Sequence, residues 1–266
     1  MRKGNVMDWN GFKGRAKRLD DIDLPRIGHR IGVGEDELHA FMDVEAAGSG
    51  FDSHGRPKML FEPHVFYRNL SGSKRDKAVK AGLAYSKWRR NYPSDSYPRL
   101  IEAMKIDETA ALKASSWGLG QILGENHKAV GYSTPQTMVR AFMEDEEKHL
   151  EAIVQFLISK KLAAKLKAHD WAGVARGYNG AGYRQNAYDT KMAAAFKKWQ
   201  RIRDTPWTPG QAEAARPAPT PPPAPKPTQK PVSEQKPQPA PTPTPSKPRG
   251  LVASLLAFIA SILRGK

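Results

Sequence analysis

Sixteen of the chain's 22 prolines lie between Pro206 and Pro248, and from Pro237 to Pro245 every second residue is proline. A proline ring fixes φ and removes the backbone donor, so such a run builds neither a helix interior nor a sheet ladder. Residues 204–249 are therefore expected to be a disordered, solvated linker of polyproline II character, its stretch 206–249 reaching ~130 Å at about 3.1 Å per residue if fully extended. Six prolines remain for residues 1–205. That stretch has a globular composition, and the 178 residues of 26–203 suffice for one folded body with a core of its own. Residues 1–25 are Gly-rich and charged with few apolar anchors, and read as a flexible basic arm. Met1 to Lys3 is basic, but no apolar segment follows, so no cleavable secretion signal is expected.

Helical signals dominate 26–203. Gly34-Glu35-Asp36-Glu37 is an acidic helix start, followed by Leu38, Phe41 and Met42 on one face. Gly48-Ser49-Gly50 stops that helix. Ser73 to Trp88, Leu100 to Ala114, the stretch after the Thr134-Pro135 cap, Trp171 to Tyr178 and Lys191 to Ile202 also read as helical. Phe51 to Phe66 contains the turn-like His54-Gly55-Arg56-Pro57 and reads as a small β-hairpin or extended excursion. The expected class is mostly α with one small β element. Residues 250–266 differ again. Leu251 to Leu263 is an apolar run ending in Arg264-Gly265-Lys266; as a helix it is roughly 20 Å long, short of the ~30 Å hydrocarbon core. It is expected to be a short amphipathic helix that seeks a membrane surface, the alternative being one that docks on the body.

No cysteine is present, which excludes disulfides, Cys-ligated metal centres and a thiol nucleophile. The seven histidines show no metal-binding spacing and no phosphate-binding glycine loop occurs, so no cofactor or metal is expected. Glu45 is the first candidate for chemistry. Leu38, Phe41, Met42 and Glu45 fall at i, i+3, i+4 and i+7, placing a carboxyl group on an apolar stripe in the last helical turn. Desolvation and the negative end of the helix dipole both disfavour its charged form, and a carboxylic acid of raised pKa suits a general acid. A core Glu paired with Arg56 is the structural alternative. Asp52 and Glu62, beside the expected hairpin, could supply a second carboxylate, as glycoside hydrolysis requires; a turn residue and a salt-bridge partner are their plainer readings. Ser116-Trp117-Gly118-Leu119-Gly120-Gln121-Ile122 and Arg176-Gly177-Tyr178-Asn179-Gly180 each join glycines, an aromatic residue and an amide. Such clusters line a cleft or allow a tight helix crossing.

Four blocks in this order resemble the N-acetylmuramidase family of phage endolysins, within the lysozyme-like superfamily. They are Val44-Glu45-Ala46-Ala47-Gly48-Ser49-Gly50-Phe51, Gly55 through Phe66, Ser116-Trp117-Gly118 with Gln121-Ile122 and Gly124, and Trp171 with Ala175-Arg176-Gly177-Tyr178-Asn179-Gly180. The resemblance implies a lysozyme-like helical domain over 26–203 that cleaves the β-1,4 bond between N-acetylmuramic acid and N-acetylglucosamine in bacterial peptidoglycan. It implies Glu45 as the acid and Glu62, with Asp52 as second choice, for water activation or cation stabilisation. Gln121, Tyr178, Asn179 and Trp117 would bind sugar or orient water. A separate wall-binding module, common in the family, is not recognisable at either end; the linker and tail stand in its place.

Two further readings compete. A lytic transglycosylase needs the same acid but no water-activating group, and a cationic envelope-binding protein needs no chemistry. The formal charge is +16, from 43 Lys and Arg against 27 Asp and Glu, which favours anionic partners. Residues 1–25 carry +2 and 206–266 carry +6, leaving +8 over the body. That spread fits anionic lipid or lipopolysaccharide better than nucleic acid, which is not expected as a partner. A monomer is expected, made in the cytoplasm and acting on the cell wall. Deletion of Leu251 to Lys266 should leave cleavage of soluble peptidoglycan nearly unchanged and reduce flotation with anionic vesicles. Equal flotation of the two forms would remove the membrane role.

Overall fold

The computed structural model describes residues 9–46, 48–89 and 92–210; the remainder of the linker and the whole apolar tail lie outside them. The described residues form eleven α-helices and a small sheet. In chain order they are α1 (Asp23–His29), α2 (Glu35–Glu45), β1 (Met59–Phe61), α3 (Pro63–Asn69), α4 (Gly72–Lys80), α5 (Tyr97–Met104), α6 (Glu108–Lys113), β2 (Ser115–Trp117) and β3 (Ile122–Leu123). Then follow α7 (Pro135–Glu144), α8 (Glu146–Ser159), α9 (Ala163–Lys167), α10 (Trp171–Asn179) and α11 (Tyr188–Trp199). The mostly α, lysozyme-like class expected from the sequence is the one observed.

Local chemistry sets most helix starts. Glu37 reaches back to accept from the Gly34 N–H at 2.9 Å at the head of α2, and Thr134 accepts from Thr137 N–H at the head of α7. Asp107, Asp145 and Asp170 cap α6, α8 and α10 through their carboxylates. The Asp107 cap also explains why the expected helix from Leu100 to Ala114 is two helices: its extended backbone interrupts the run between Met104 and Glu108. The helix expected from Ser73 to Trp88 ends at Lys80, and Gly82 follows in the left-handed region at φ +70°.

Two apolar clusters make the core. One surrounds the sheet, with Phe61, Trp117, Leu100 and Phe142 fully buried. The other collects Leu38 and Phe41 of α2, Leu150, Ile153 and Leu157 of α8, and Val174 and Met192 of α10 and α11. α8 thus packs as a central helix, and the part-buried Phe156 touches both clusters.

The extended excursion expected within 51–66 is present as β1, but the hairpin lies elsewhere. β1 pairs antiparallel with β2, Leu60 opposite Ser116, and β2 pairs with β3, Trp117 opposite Ile122. The true hairpin is therefore β2–β3, whose connection contains Gly118 at φ +68°. Residues 51–57 form instead a closed loop, pinned by a bridge between Phe51 and Pro57. A strand of three residues carries too little alternation to reveal a partner more than fifty residues away.

The arm expected over 1–25 is corrected over its described part. Trp9 and Phe12 are buried, stacked at 5.1 Å, and Phe12 lies 5.8 Å from the Trp117 ring. Ala16 and Lys17 N–H groups donate to the carbonyls of Met143 and Glu144, and Glu146 N–H donates to Lys17 O at 2.9 Å. Two aromatic side chains anchor the segment where composition alone suggested looseness, because large rings bury much area per residue. Phe12→Ala should cost about 3–5 kcal/mol, as buried aromatic truncations do. A melting temperature unchanged within error would show that the segment contributes nothing to the fold.

Candidate active site

Glu45 ends α2 and follows Leu38 and Phe41, which are fully buried, on the inward face of that helix. Its carboxyl group is part-buried and accepts a hydrogen bond from Asn179 Nδ2 at 2.6 Å. Burial pushes the carboxyl up to about 7, against the opposing pull of the Asn179 bond. Arg56, the partner in the structural alternative, bonds to Asp52 and Asp95 instead.

α10 supplies Asn179 and Tyr178 side by side. Asn179 is fully buried, and Tyr178 donates from its hydroxyl to Gly120 O at 3.1 Å, within the β2–β3 connection. The helix ends at Gly180, φ +77°. Gln121 closes the same connection. Its Nε2 donates to Gly118 O at 2.8 Å and Lys58 O at 3.3 Å, and its Oε1 has no hydrogen-bond partner among the described residues. Glu45, Asn179, Tyr178 and Gln121, drawn from three separate sequence blocks, are thus joined through hydrogen bonds and the short β2–β3 connection. Beside Gln121 opens a cavity of about 360 Å³, lined also by Asp52, Arg56, Lys58, Tyr97 and Leu119.

The other two carboxyl candidates sit in different surroundings. Glu62 occupies the N-cap position of α3 without a side-chain capping bond, is buried, and accepts from Ser116 Oγ at 2.9 Å, with His64 Nε2 at 3.7 Å. Burial pushes its carboxyl up to about 7, with the Ser116 bond and the Arg68 charge acting the other way. Burial would also raise Asp52, but bonds from the Arg56 backbone and guanidinium and from His54 N–H overcome it and hold that carboxyl below its ordinary value. Asp52 is the clasp of the 52–56 loop, accepting from Arg56 Nε at 2.7 Å.

Trp117 does not meet its expected role. Its ring is fully buried and its Nε1 donates to Leu112 O at 3.1 Å, so it offers no face to a sugar. Its place in the period-two pattern of β2 points it into the core beside Phe61, while Ser116 points the other way towards Glu62. No group of three or more His, Cys, Asp or Glu able to hold a metal occurs among the described residues. Nor is any of their helices long and apolar enough to cross a membrane.

Two residues of α8 that sequence reasoning missed organise these loops. Glu146 Oε1 accepts from Gly50 N–H at 2.6 Å and pairs with Arg18, and its Oε2 accepts from Leu19 N–H. His149, fully buried, accepts from Leu119 N–H at its Nδ1 (3.1 Å) and makes a bond from Nε2 to Phe142 O (2.8 Å). Desolvation lowers His149 to about 4, which keeps it neutral and fits Nε2 as the protonated nitrogen. Gly50 and Gly118 both lie flat against its ring. A Cβ at either position would come within 2.3 Å and 2.7 Å of Nδ1 respectively, which explains both glycines sterically. Their spacing in sequence gave no such signal.

The buried Glu62 carboxyl has a consequence for stability. Its folded pKa lies above the ordinary 4.5 of an unfolded Glu, so its protonated form favours folding below pH 4.5 and that contribution is lost as pH rises through about 7. Relative to Glu62→Gln, the wild type should lose on the order of 2–3 kcal/mol between pH 4 and pH 8. Parallel denaturation curves for the two proteins across that range would contradict a desolvated Glu62.

The N-acetylmuramidase family model matches residues 35–200, a span that contains all the residues just described except the Arg18–Leu19 segment. The crystal structure of a Burkholderia AP3 phage endolysin is similar at 38% identity and a TM-score of 0.66, covering 70% of this chain and 73% of that one. No curated protein matches the chain. With most of the folded body inside the family match and a lysozyme-like fold shared with a phage endolysin, this chain belongs to the N-acetylmuramidase family.

Proposed function

We propose that this protein is a peptidoglycan-degrading endolysin that hydrolyses the β-1,4 bond between N-acetylmuramic acid and N-acetylglucosamine, with Glu45 as general acid. The observation that carries the reading is a carboxyl group poised near neutrality at the end of α2, held by Asn179. The Asn179 N–H occupies Glu45 Oε1, which leaves Oε2 for the proton. That proton passes to the glycosidic oxygen as the C1–O bond breaks, and the departing sugar leaves as an alcohol. The cation-like C1 is then attacked by water, which gives up a proton and yields a hydrated reducing end. Glu62, with Asp52 as second choice, is assigned the activation of that water or the stabilisation of the cation. Gln121 and Tyr178 are assigned to sugar binding, with Asn179 keeping the acid oriented.

One observation favours the lytic transglycosylase as a second reading. Asp52 is bound up with Arg56, and Glu62 is buried beneath Ser116. Neither is an obvious base, and a transglycosylase needs none. There the C6 hydroxyl of muramic acid attacks C1 and closes a 1,6-anhydro ring, one water lighter than the hydrolysis product.

Peptidoglycan is the partner, and the place of action is the cell wall. Monomeric action, synthesis without a cleaved signal and attachment to an anionic membrane or lipopolysaccharide through 250–266 complete the proposal; the last rests on sequence outside the described residues.

Glu45→Gln keeps the shape of the side chain and cannot deliver a proton. Wall cleavage should fall by roughly 10²–10⁴-fold while the protein still folds. In the wild type, kcat should decline as pH rises through about 7, because the acid must be protonated. Mass analysis of the released muropeptides separates hydrated from anhydro ends. A folded Gln variant with more than about a tenth of normal activity would remove Glu45 from the role.

A further inference from the structure

One stretch of the body is dense in positive charge. Between positions 74 and 89 stand Lys74, Arg75, Lys77, Lys80, Lys87 and Arg89 against a single acid, Asp76. Lys74 is neutralised by Asp107 at 2.7 Å. Lys77, Lys80 and Arg89 are exposed and form no ion pair among the described residues. A groove of about 680 Å³ runs along this stretch, with Arg75, Lys80 and Arg89 among its walls. Its base holds two aromatic rings, each under a guanidinium: Arg75 stands 4.7 Å from the Tyr67 ring and Arg89 4.4 Å from the Tyr85 ring. Arg75 is further held by a bond from its Nε to Tyr67 O at 3.2 Å. Guanidinium groups stacked on aromatic rings keep their outer N–H edges available for planar oxyanions, above all carboxylates.

The helix α3 joins the groove to the second carboxyl candidate. Glu62 occupies the N-cap position of α3, and Tyr67 lies five residues further along the same helix, about 7.5 Å along its axis. Tyr92 feels both regions electrostatically: burial first, then the charges of Glu62 and Tyr85, hold its phenol well above the ordinary value.

We infer that this groove is an extension of the cleft that binds the carboxylates of peptide stems on the glycan strand being cut. The inference rests on the proposed peptidoglycan substrate. A polymer chain carrying carboxylates at intervals can lie in a groove, whereas a bilayer meets flat or protruding surfaces, and this charge lines a depression reached by the helix that Glu62 begins. Asp76, the acidic group on the groove, suits an amino group of the same stems. The groove therefore sets a preference for stem-bearing over bare glycan and takes no part in bond cleavage.

The test uses the full chain, wild type and the double variant Lys80→Gln with Arg89→Gln, on two substrates: peptidoglycan with intact stems, and glycan strands stripped of stems by an amidase. The double variant should raise KM roughly tenfold on the stemmed substrate, leave kcat unchanged, and stay within about twofold of wild type on stripped strands. Lys80→Arg alone, which keeps the charge, should keep the wild-type KM, which a purely steric role for that side chain would not require. Equal KM shifts on both substrates, or none on either, overturn the inference. So does a double variant that loses binding to phosphatidylglycerol vesicles while keeping its KM on stemmed peptidoglycan, an outcome that assigns the groove to lipid. Failure of the wild type to release reducing or anhydro ends from either substrate would instead remove the proposed activity itself.

Discussion

Two side chains on the first turn of α8 hold together the segments from which the site is built. Glu146 ties down the Gly50 loop that leaves the Glu45 helix, and His149 ties down the connection that carries Gly118 to Gln121. The backbone of Lys58 joins the same two segments, donating to Gly50 O and accepting from Gly118 N–H, each at 2.7 Å. A buried carboxylate that accepts two backbone N–H bonds, and a neutral imidazole whose ring fills the space against two glycines, leave these loops little freedom. The placement of Glu45 relative to Tyr178 and Gln121 follows from that constraint, since Tyr178 bonds to Gly120 within the segment that His149 fixes.

How much of this was legible in the sequence depended on the range of the interaction. Leu38, Phe41 and Glu45 share a helix face by spacing alone, and the structure puts the carboxyl at the end of α2 beside that buried stripe. The Asp and Thr caps are equally local, with donor and acceptor two or three residues apart. Glu146 and His149 act on partners 96 and 30 residues away, and nothing in their neighbourhood distinguishes them from other charged or polar helix residues. The Trp117 assignment failed for a related reason. A glycine-flanked aromatic suits a sugar platform or a core anchor equally well, and only the strand register, with Trp117 opposite Met59, decides that it faces inward. In the arm, Trp9 and Phe12 were outweighed by the polar residues around them, although two rings are enough to dock a short segment.

The family resemblance supplied what local patterns could not. Three of its blocks, around Glu45, Gln121 and Asn179, have no periodicity that would join them, yet the fold links them by hydrogen bonds of 2.6 to 3.1 Å and a four-residue connection. The Asp52 block shows the limit of such transfer. Its carboxylate is engaged by the Arg56 side chain and by two backbone N–H groups, a structural role complete without substrate.

Burial raises both Glu45 and Glu62 to about 7, so acidity alone cannot divide their roles. Their surroundings do. Glu62 is 5% exposed, bonded to Ser116 and flanked by His64, which burial keeps neutral at a pKa of about 4. A proton there is enclosed, and a glycosidic oxygen could reach it only after the Ser116 contact opened. Glu45 is more open, has one oxygen fixed by Asn179, and lies at a helix end where the chain turns away through Gly48 and Gly50. A general acid must combine desolvation with contact, because a proton that cannot touch the leaving oxygen does no chemistry whatever its pKa. Glu45 meets the first and is the less enclosed of the two. Glu62 also meets the first, and the role proposed for it requires that substrate displace Ser116 from its carboxyl group.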